Sequence, residues 1–410
     1  RMCTEDRKGR MSCESTDYLT IGMVGRKSEP YFLSQGPSDF TTTLYAARFR
    51  KIRETLPGPN RVRNYVNNRL TVTMTNELGQ TTRTRINAIG NIMEVTDANN
   101  QATRCLYNSR KNRIKPTMPG NKVVHWRYDA LDRKIFEDDP NLGITTHRYN
   151  NFGERIETVN AKGQKITYTY DKLGRKTRQV QPAGTSTWVY DLGAQGLGKV
   201  SSTRSYNNYE VLHSYDGFGR MALKTYRDPS GVEYYMQYNY NSYGLLNELT
   251  YPTGFKVAHS YTTSGLLTMV KEAGGIDIYW RYEDENPRNQ ITRERRGLRM
   301  TNYTYDIPNG RILRVSTNNN TQDLRYHYDP LGNMLVRHDV VAGVAGVAES
   351  MAYDNLNRVA STQITGGPVV IHNYDVLGNL TYRSDVGCYE YGSSRPHRHP
   401  DQKRSGWHHP

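Results

Sequence analysis

Apolar and polar residues alternate along most of this chain. In Lys165-Ile166-Thr167-Tyr168-Thr169-Tyr170 the residues Ile166, Tyr168 and Tyr170 share one face, and in Arg155-Ile156-Glu157-Thr158-Val159 the residues Ile156 and Thr158 oppose the charged positions. A period of two predicts strands with one covered face, each spanning roughly 20 Å at about 3.3 Å per residue. The alternating runs are short and bounded by turn residues, as in Asn160-Ala161-Lys162-Gly163, Gln181-Pro182-Ala183-Gly184, Asp228-Pro229-Ser230-Gly231 and Tyr251-Pro252-Thr253-Gly254. Strand, turn, strand, turn is the expected order.

A longer period sits on top of this one. Tyr107, Tyr128, Tyr149 and Tyr170 stand 21 residues apart, and the series continues at Tyr190, Tyr215, Tyr240, Tyr261, Tyr282, Tyr305, Tyr328, Tyr353 and Tyr374 with every spacing between 20 and 25. Ile86, Tyr65 and Tyr45 extend the phase upstream to about residue 40. The residues after the tyrosine repeat too: Tyr170-Asp171-Lys172-Leu173-Gly174-Arg175, Tyr215-Asp216-Gly217-Phe218-Gly219-Arg220, Tyr328-Asp329-Pro330-Leu331-Gly332-Asn333 and Tyr374-Asp375-Val376-Leu377-Gly378-Asn379. An aspartate can accept a hydrogen bond from the N–H two residues on, and a glycine three residues later supplies the positive φ of a hairpin turn. Each unit is therefore a β-hairpin. One hairpin is marginal alone, whereas stacked neighbours bury a continuous face and pair each other's edges. Several units depart from the pattern: Lys111 and Asp132 stand where glycine is expected, and Tyr282-Glu283-Asp284-Glu285-Asn286 loses the motif. Lys111 is expected to be strained or in a different turn.

These phased Y-D-x-x-G-[RN] copies, over about residues 40 to 392, make the chain resemble the Rhs/YD-repeat family. The resemblance implies an all-β array of stacked antiparallel hairpins forming part of a spiral shell, a β-cage that encloses a C-terminal toxin in Rhs proteins and in the C components of Tc toxins. The implied organisation is an irregular N-terminal segment over residues 1–40, the repeat array over 41–392, and a disordered or artefactual His-rich tail over 393–410. A fragment of a longer protein is expected.

Composition agrees with β-structure. There are 32 tyrosines against 7 Phe and 4 Trp, and hydrophobic residues total only 36%. The longest small-apolar run, Val340 to Ala348, has nine residues, under half of the ~20 a spanning helix needs, so membrane insertion by this segment is not expected. The net charge of +15 is spread along the chain without a basic helical stripe or nucleic-acid motif, so nucleic acid is not an expected partner. Cys3, Cys13, Cys105 and Cys388 are too scattered for a disulfide framework or a zinc site.

No catalytic constellation emerges. Gly193-Ala194-Gln195-Gly196-Leu197-Gly198-Lys199-Val200 nearly spells a phosphate-binding loop, but Val200 stands where Mg²⁺ requires Ser or Thr. The phased Asp171, Asp216, Asp306, Asp329, Asp354 and Asp375 recur from unit to unit, which marks turn chemistry rather than a unique acid–base pair. Asp329-Pro330-Leu331-Gly332 looks like the self-cleavage fragment of Rhs cores, yet it is in phase and reads as an ordinary repeat turn. The expectation is no enzyme activity, no cofactor and no metal, with Tyr107, Tyr128, Tyr149, Tyr170, Tyr190, Tyr215, Tyr240, Tyr261, Tyr282, Tyr305, Tyr328, Tyr353 and Tyr374, together with Asp171, Gly174, Arg175, Asp216, Gly219, Arg220, Asp329, Gly332, Asp354, Asp375 and Gly378, defining the repeat. The phased rings are expected to pack ring on ring.

The functional expectation is a containing shell segment whose partners are a toxin cargo and neighbouring shell segments, made in a bacterial cytoplasm and secreted or displayed at the surface by a route not encoded here. The alternative is a surface module binding carbohydrate or a partner protein. Tyr234 and Tyr238 are the candidate ligand surface, because alternation places them opposite Tyr235.

Overall fold

The computed structural model describes residues 1–306, 309–318, 321–341, 346–392 and 397. All of the predicted tail except His397 lies outside these residues. Apart from single 3-10 turns at Ala47–Phe49 and Pro119–Asn121, the described chain is strand and turn. No helix among the described residues is long and apolar enough to cross a membrane.

The chain divides into two compact units, Arg1–Val123 with Tyr282–Pro410, and Val124–Arg281. We call them unit 1 and unit 2. Unit 2 is an up-and-down antiparallel ladder that starts at His125–Tyr128 and in which each strand pairs with the next in sequence. Unit 1 contains two further ladders of the same kind. An eleven-stranded one runs from Thr16–Tyr18 to Lys122–Val123, and a second runs from Ile291–Arg296 to Gly387–Cys388. Sequential pairing follows from the short turns, which leave a strand no partner nearer than its neighbour.

Residues 1–40 are not irregular. Met2–Glu5, Met11–Glu14 and Tyr31–Phe32 form a three-stranded sheet, and Thr16–Tyr18 and Val24–Ser28 open the eleven-stranded ladder. The first hairpin sets Cys3 directly opposite Cys13, and the two form a disulfide. That pairing corrects the expectation from cysteine spacing. A separation of ten residues becomes a cross-strand pair only once the turn at Asp6–Arg10 is known.

Burial explains why so polar a chain folds. Few hydrophobic residues among those described are buried, Val257 and Tyr282 among them, and most of the strand surface is half-covered. The ladders are held by backbone pairing and by one half-covered face rather than by a thick apolar core. The side chains at the ends of the strands therefore matter more than usual.

Candidate functional site

The phased residues build a seam between consecutive hairpins. In the Tyr170 unit, Asp171 Oδ1 accepts the N–H groups of Leu173 and Arg175, both at 2.9 Å, and its Oδ2 takes Arg175 Nε at 2.7 Å. Gly174 holds φ 76°, closing a three-residue loop in which Asp171 N–H reaches the Arg175 carbonyl at 3.0 Å. This is the type I turn with a left-handed residue that glycine favours. The same bonds recur at Asp216 with Arg220 and at Asp354 with Arg358. At Asp329 and Asp375 the partner is Asn333 or Asn379, and Gly332 and Gly378 hold φ 105° and 90°. Asp329 thus sits in an ordinary repeat turn. Desolvation opposes ionisation of Asp171, but the Arg175 N–H and guanidinium and the Leu173 N–H outweigh it and hold the carboxyl below its usual range.

Lys111 does not escape into another turn. It keeps φ 69° in the same loop, with Asn108 Oδ1 accepting the Arg110 and Asn112 N–H groups at 3.0 and 2.9 Å. A left-handed L-residue costs roughly 1–2 kcal/mol. Lys111→Gly is therefore expected to stabilise unit 1 by about 1 kcal/mol in denaturant unfolding. A neutral or negative effect would show the strain to be relieved locally.

The tyrosines staple neighbouring strands. A register shift falls immediately before the phased residue, as between Thr169 and Tyr170 and between Ser214 and Tyr215. On its other side the ladder stops short: Glu157 pairs with Thr167, but Arg155 has no paired residue there. The Tyr170 hydroxyl fills that gap by donating to the Arg155 carbonyl at 2.8 Å. The same reach joins Tyr107 to Ile92, Tyr149 to Lys134, Tyr190 to Lys176, Tyr215 to Val200, Tyr240 to Met221, Tyr261 to Leu246, Tyr305 to Ile291, Tyr353 to Met334 and Tyr374 to Val359, all within 2.7–2.9 Å. In each case the acceptor is the first residue of the strand after the preceding phased turn.

Ring-on-ring packing holds at Tyr305, which stacks on Tyr303 at 6.4 Å, but not at Tyr149, Tyr190, Tyr240, Tyr328 or Tyr374, where the expectation is corrected. A cation from the preceding turn lies over them instead: Arg133 over Tyr149 at 4.9 Å, Arg175 over Tyr190 at 4.3 Å, Arg220 over Tyr240 at 4.4 Å, Arg311 over Tyr328 at 5.7 Å and Arg358 over Tyr374 at 4.6 Å. The basic residue of the motif therefore ties its own aspartate to the next repeat's ring, a favourable use of guanidinium on an aromatic face. Lys199 plays that part for Tyr215 at 4.7 Å and also reaches the Gln195 carbonyl at 3.2 Å, so the glycine-rich segment is a long seam turn. Arg175 additionally grips Asp191 through two bonds of 3.0 and 2.5 Å; that guanidinium, with the Gly198 N–H, pulls the carboxyl down to about 2.

Tyr282 is not part of the seam. The turn of its unit is Asn286–Gln290, with Asn286 Oδ1 accepting Arg288 N–H at 2.9 Å, so Glu285 occupies the residue before the turn. Tyr282 lies three residues earlier, and its buried hydroxyl has no hydrogen-bond partner. Tyr128 precedes the Asp129–Arg133 turn as expected.

A second phased position escaped the sequence reading. Two residues before the tyrosine, on the same half-covered face, stand Cys105, Trp126, His147, Tyr168, Trp188, His213, Tyr238, His259, Tyr303, Tyr326, Met351 and His372. Aligning the units on the tyrosine would have exposed it. Desolvation lowers the pKa of His147, His213 and His259, all in unit 2; Arg155 and Lys134 add to the effect at His147, with Glu137 opposing, and Lys224 adds at His213. A backbone bond to Asn247 partly opposes it at His259. As pH falls through about 6.5, the unfolded chain takes up these protons before the folded one does. Stability is therefore complete above that pH and is lost below it, before the turn carboxylates protonate. Unit 2 is expected to melt earlier at pH 5 than at pH 7, and a His147→Gln/His213→Gln/His259→Gln variant should show a flatter profile in thermal melts.

Tyr234 and Tyr238 do share a face, opposite Tyr235, but they differ in access. Tyr234 is 46% exposed beside its cross-strand partner Tyr226, whereas Tyr238 is half-buried with its hydroxyl 3.2 Å from Met236 Sδ. Further along unit 2, Tyr251, Phe255 and Tyr279 form a chain of ring contacts at 6.0 and 5.8 Å.

Residues 149–186 match the RHS Repeat family. No curated protein matches the chain in sequence. Among solved structures it is similar to TcdB2-TccC3-Cdc42, with 17% identity, a TM-score of 0.79, and coverage of 92% of this chain and 24% of that one. TcdB2-TccC3 without its hypervariable C-terminal region gives 16%, 0.80, 94% and 24%. The Photorhabdus luminescens Tc holotoxin pore carrying a TccC3 mutation gives 17%, 0.78, 94% and 24%. The likeness is one of fold, and the chain spans 24% of the length of each of those chains. Residues 149–186 thus carry the RHS repeat, and the chain as a whole shares the fold of the TccC3-containing structures.

Proposed function

We propose that this array is a wall segment of a bacterial Rhs-type shell that contains a toxic C-terminal polypeptide, secreted or displayed at the cell surface, and that it works by containment rather than catalysis. The observation that carries the reading is the seam. Hydroxyl staples and ring-capping cations recur hairpin after hairpin, so consecutive strands are locked at the end where the ladder itself stops pairing. Such a wall gains nothing from a unique active site and a great deal from leaving few free strand edges. Its partners in this reading are the cargo and neighbouring segments of the same shell.

The test is to read the native coding sequence on both sides of this segment, express its complete product and follow limited proteolysis. Protection of a C-terminal polypeptide while it stays associated with the array supports containment. Cleavage as fast as that of the isolated polypeptide rejects it.

The exposed aromatics of unit 2 favour a second reading, a carbohydrate-binding surface, because Tyr226, Tyr234, Tyr251, Phe255 and Tyr279 are each 37–46% exposed. Tyr234→Ser with Tyr251→Ser should then abolish retention on a glycan array without changing the melting temperature. Unchanged retention, or none by the parent chain, removes this reading.

A further inference from the structure

Two kinds of turn alternate along every ladder: the phased turns after the tyrosines at one end of the strands, and the mid-repeat turns at the other. In unit 1 they meet. Arg61, in a mid-repeat turn and 8% exposed, donates Nε to the Pro330 carbonyl at 3.2 Å and bonds Asn309. Gln80 and Asn357 exchange amide hydrogen bonds at 3.3 and 3.1 Å. Gly120 lies so near Val376 and Leu377 that a Cβ there would stand 3.4 Å from Val376 Cγ2. In each of these three contacts a mid-repeat turn meets a phased turn. The apolar residue of these phased turns, Leu331, Leu356 or Leu377, is half-buried.

In unit 2 the same position is bare. Leu131 is 68% exposed, Phe152 90%, Leu173 74%, Phe218 86% and Tyr243 87%. With two strands per repeat at ~4.8 Å, this makes an apolar ridge with one large side chain about every 10 Å, a periodic surface unlike scattered exposed residues. The opposite end of unit 2 carries the complementary row. Its turn Asn160-Ala161-Lys162-Gly163-Gln164 repeats the chemistry of Asn76-Glu77-Leu78-Gly79-Gln80, including the amide bond within the turn at 2.9 Å against 2.8 Å. Gln164 is exposed in the place from which Gln80 reaches Asn357, and Leu142 and Ile276 flank that row at 73% and 94% exposure.

We propose that the phased-turn ridge of unit 2 docks the mid-repeat turn row of unit 2 in a second copy of this chain, using the pairing that unit 1 makes internally. The contact is heterologous, since each copy offers a different surface at either end, and it therefore propagates unless a rotation closes it.

Sedimentation velocity of the purified chain tests this. Species larger than a dimer should grow with concentration. Phe152→Lys/Phe218→Lys, which removes the ridge, and Leu142→Lys/Ile276→Lys, which removes the opposite row, should each be monomeric with unchanged circular dichroism and melting temperature. Mixed together, the two variants should form one-to-one dimers, because each retains one intact half. A parent chain that stays monomeric at every concentration, a ridge variant that associates like the parent, or a mixture that stays monomeric overturns the proposal. Because none of these readouts involves a cargo, its failure is distinct from failure of the containment reading.

Discussion

Glu285→Ala is expected to destabilise unit 1 by about 3–5 kcal/mol, the loss typical of breaking one side of a buried ion pair. Glu285 is 2% exposed, accepts the Arg7 N–H at 2.7 Å and pairs with the Arg7 guanidinium. Around it, Arg10 reaches Asp284 at 2.9 Å and the Glu285 carbonyl at 2.8 Å, while the fully buried Asp6 braces the turn by accepting from Lys8 and Arg10 N–H groups. Removing the carboxylate takes the ion-pair partner from a guanidinium whose side chain is only 20% exposed. Because the pair is buried, added salt should restore little. Denaturant unfolding of Glu285→Ala, Arg7→Ala and the double variant gives the coupling directly. A single-variant loss under about 1 kcal/mol would place the pair with ordinary surface bridges and refute the clasp.

Tyr215→Ala is expected to cost unit 2 about 3 kcal/mol, and Tyr215→Phe about 1 kcal/mol. The hydroxyl donates to the Val200 carbonyl at 2.7 Å, a group the ladder leaves unpaired, and the half-buried ring carries Lys199 4.7 Å from its centroid. Phenylalanine keeps the ring and its cation but drops the staple; alanine drops both. Measured unfolding free energies that put Phe level with the parent would show that the hydroxyl does nothing water does not do. Values that put Phe level with Ala would make the hydroxyl, not the ring, the whole seam.

The parts of this site that were legible in the sequence are those set by local chemistry. Asp171, Gly174 and Arg175 lie within five residues of one another, so their hydrogen bonds are settled by turn geometry alone. The destination of the tyrosine hydroxyl was not legible, because the Arg155 carbonyl is free only where two strands stop pairing, which is a property of register and bulge. Tyr282 misled for the same reason: spacing put it in phase, while the turn that defines phase formed at Asn286. The column at His147, His213 and His259 was present in the letters, but its pKa consequence needed the burial of that face.

The sequence by itself determined the all-β class, the hairpin unit, the turn type and the family resemblance, because a two-residue alternation inside a repeat of 20 to 25 residues admits few other solutions. Only the tertiary structure decided that residues 1–40 are ordered strands, that Cys3 meets Cys13, and that turns 248 to 278 residues apart, such as those of Arg61 with Asn309 and Arg7 with Glu285, close on one another. Contacts between neighbouring repeats are repeated and so leave a periodic trace in the chain. Contacts between distant turns are made once, by residues such as Arg61 and Glu285 whose partners no spacing rule names, and they exist only after the ladders have stacked.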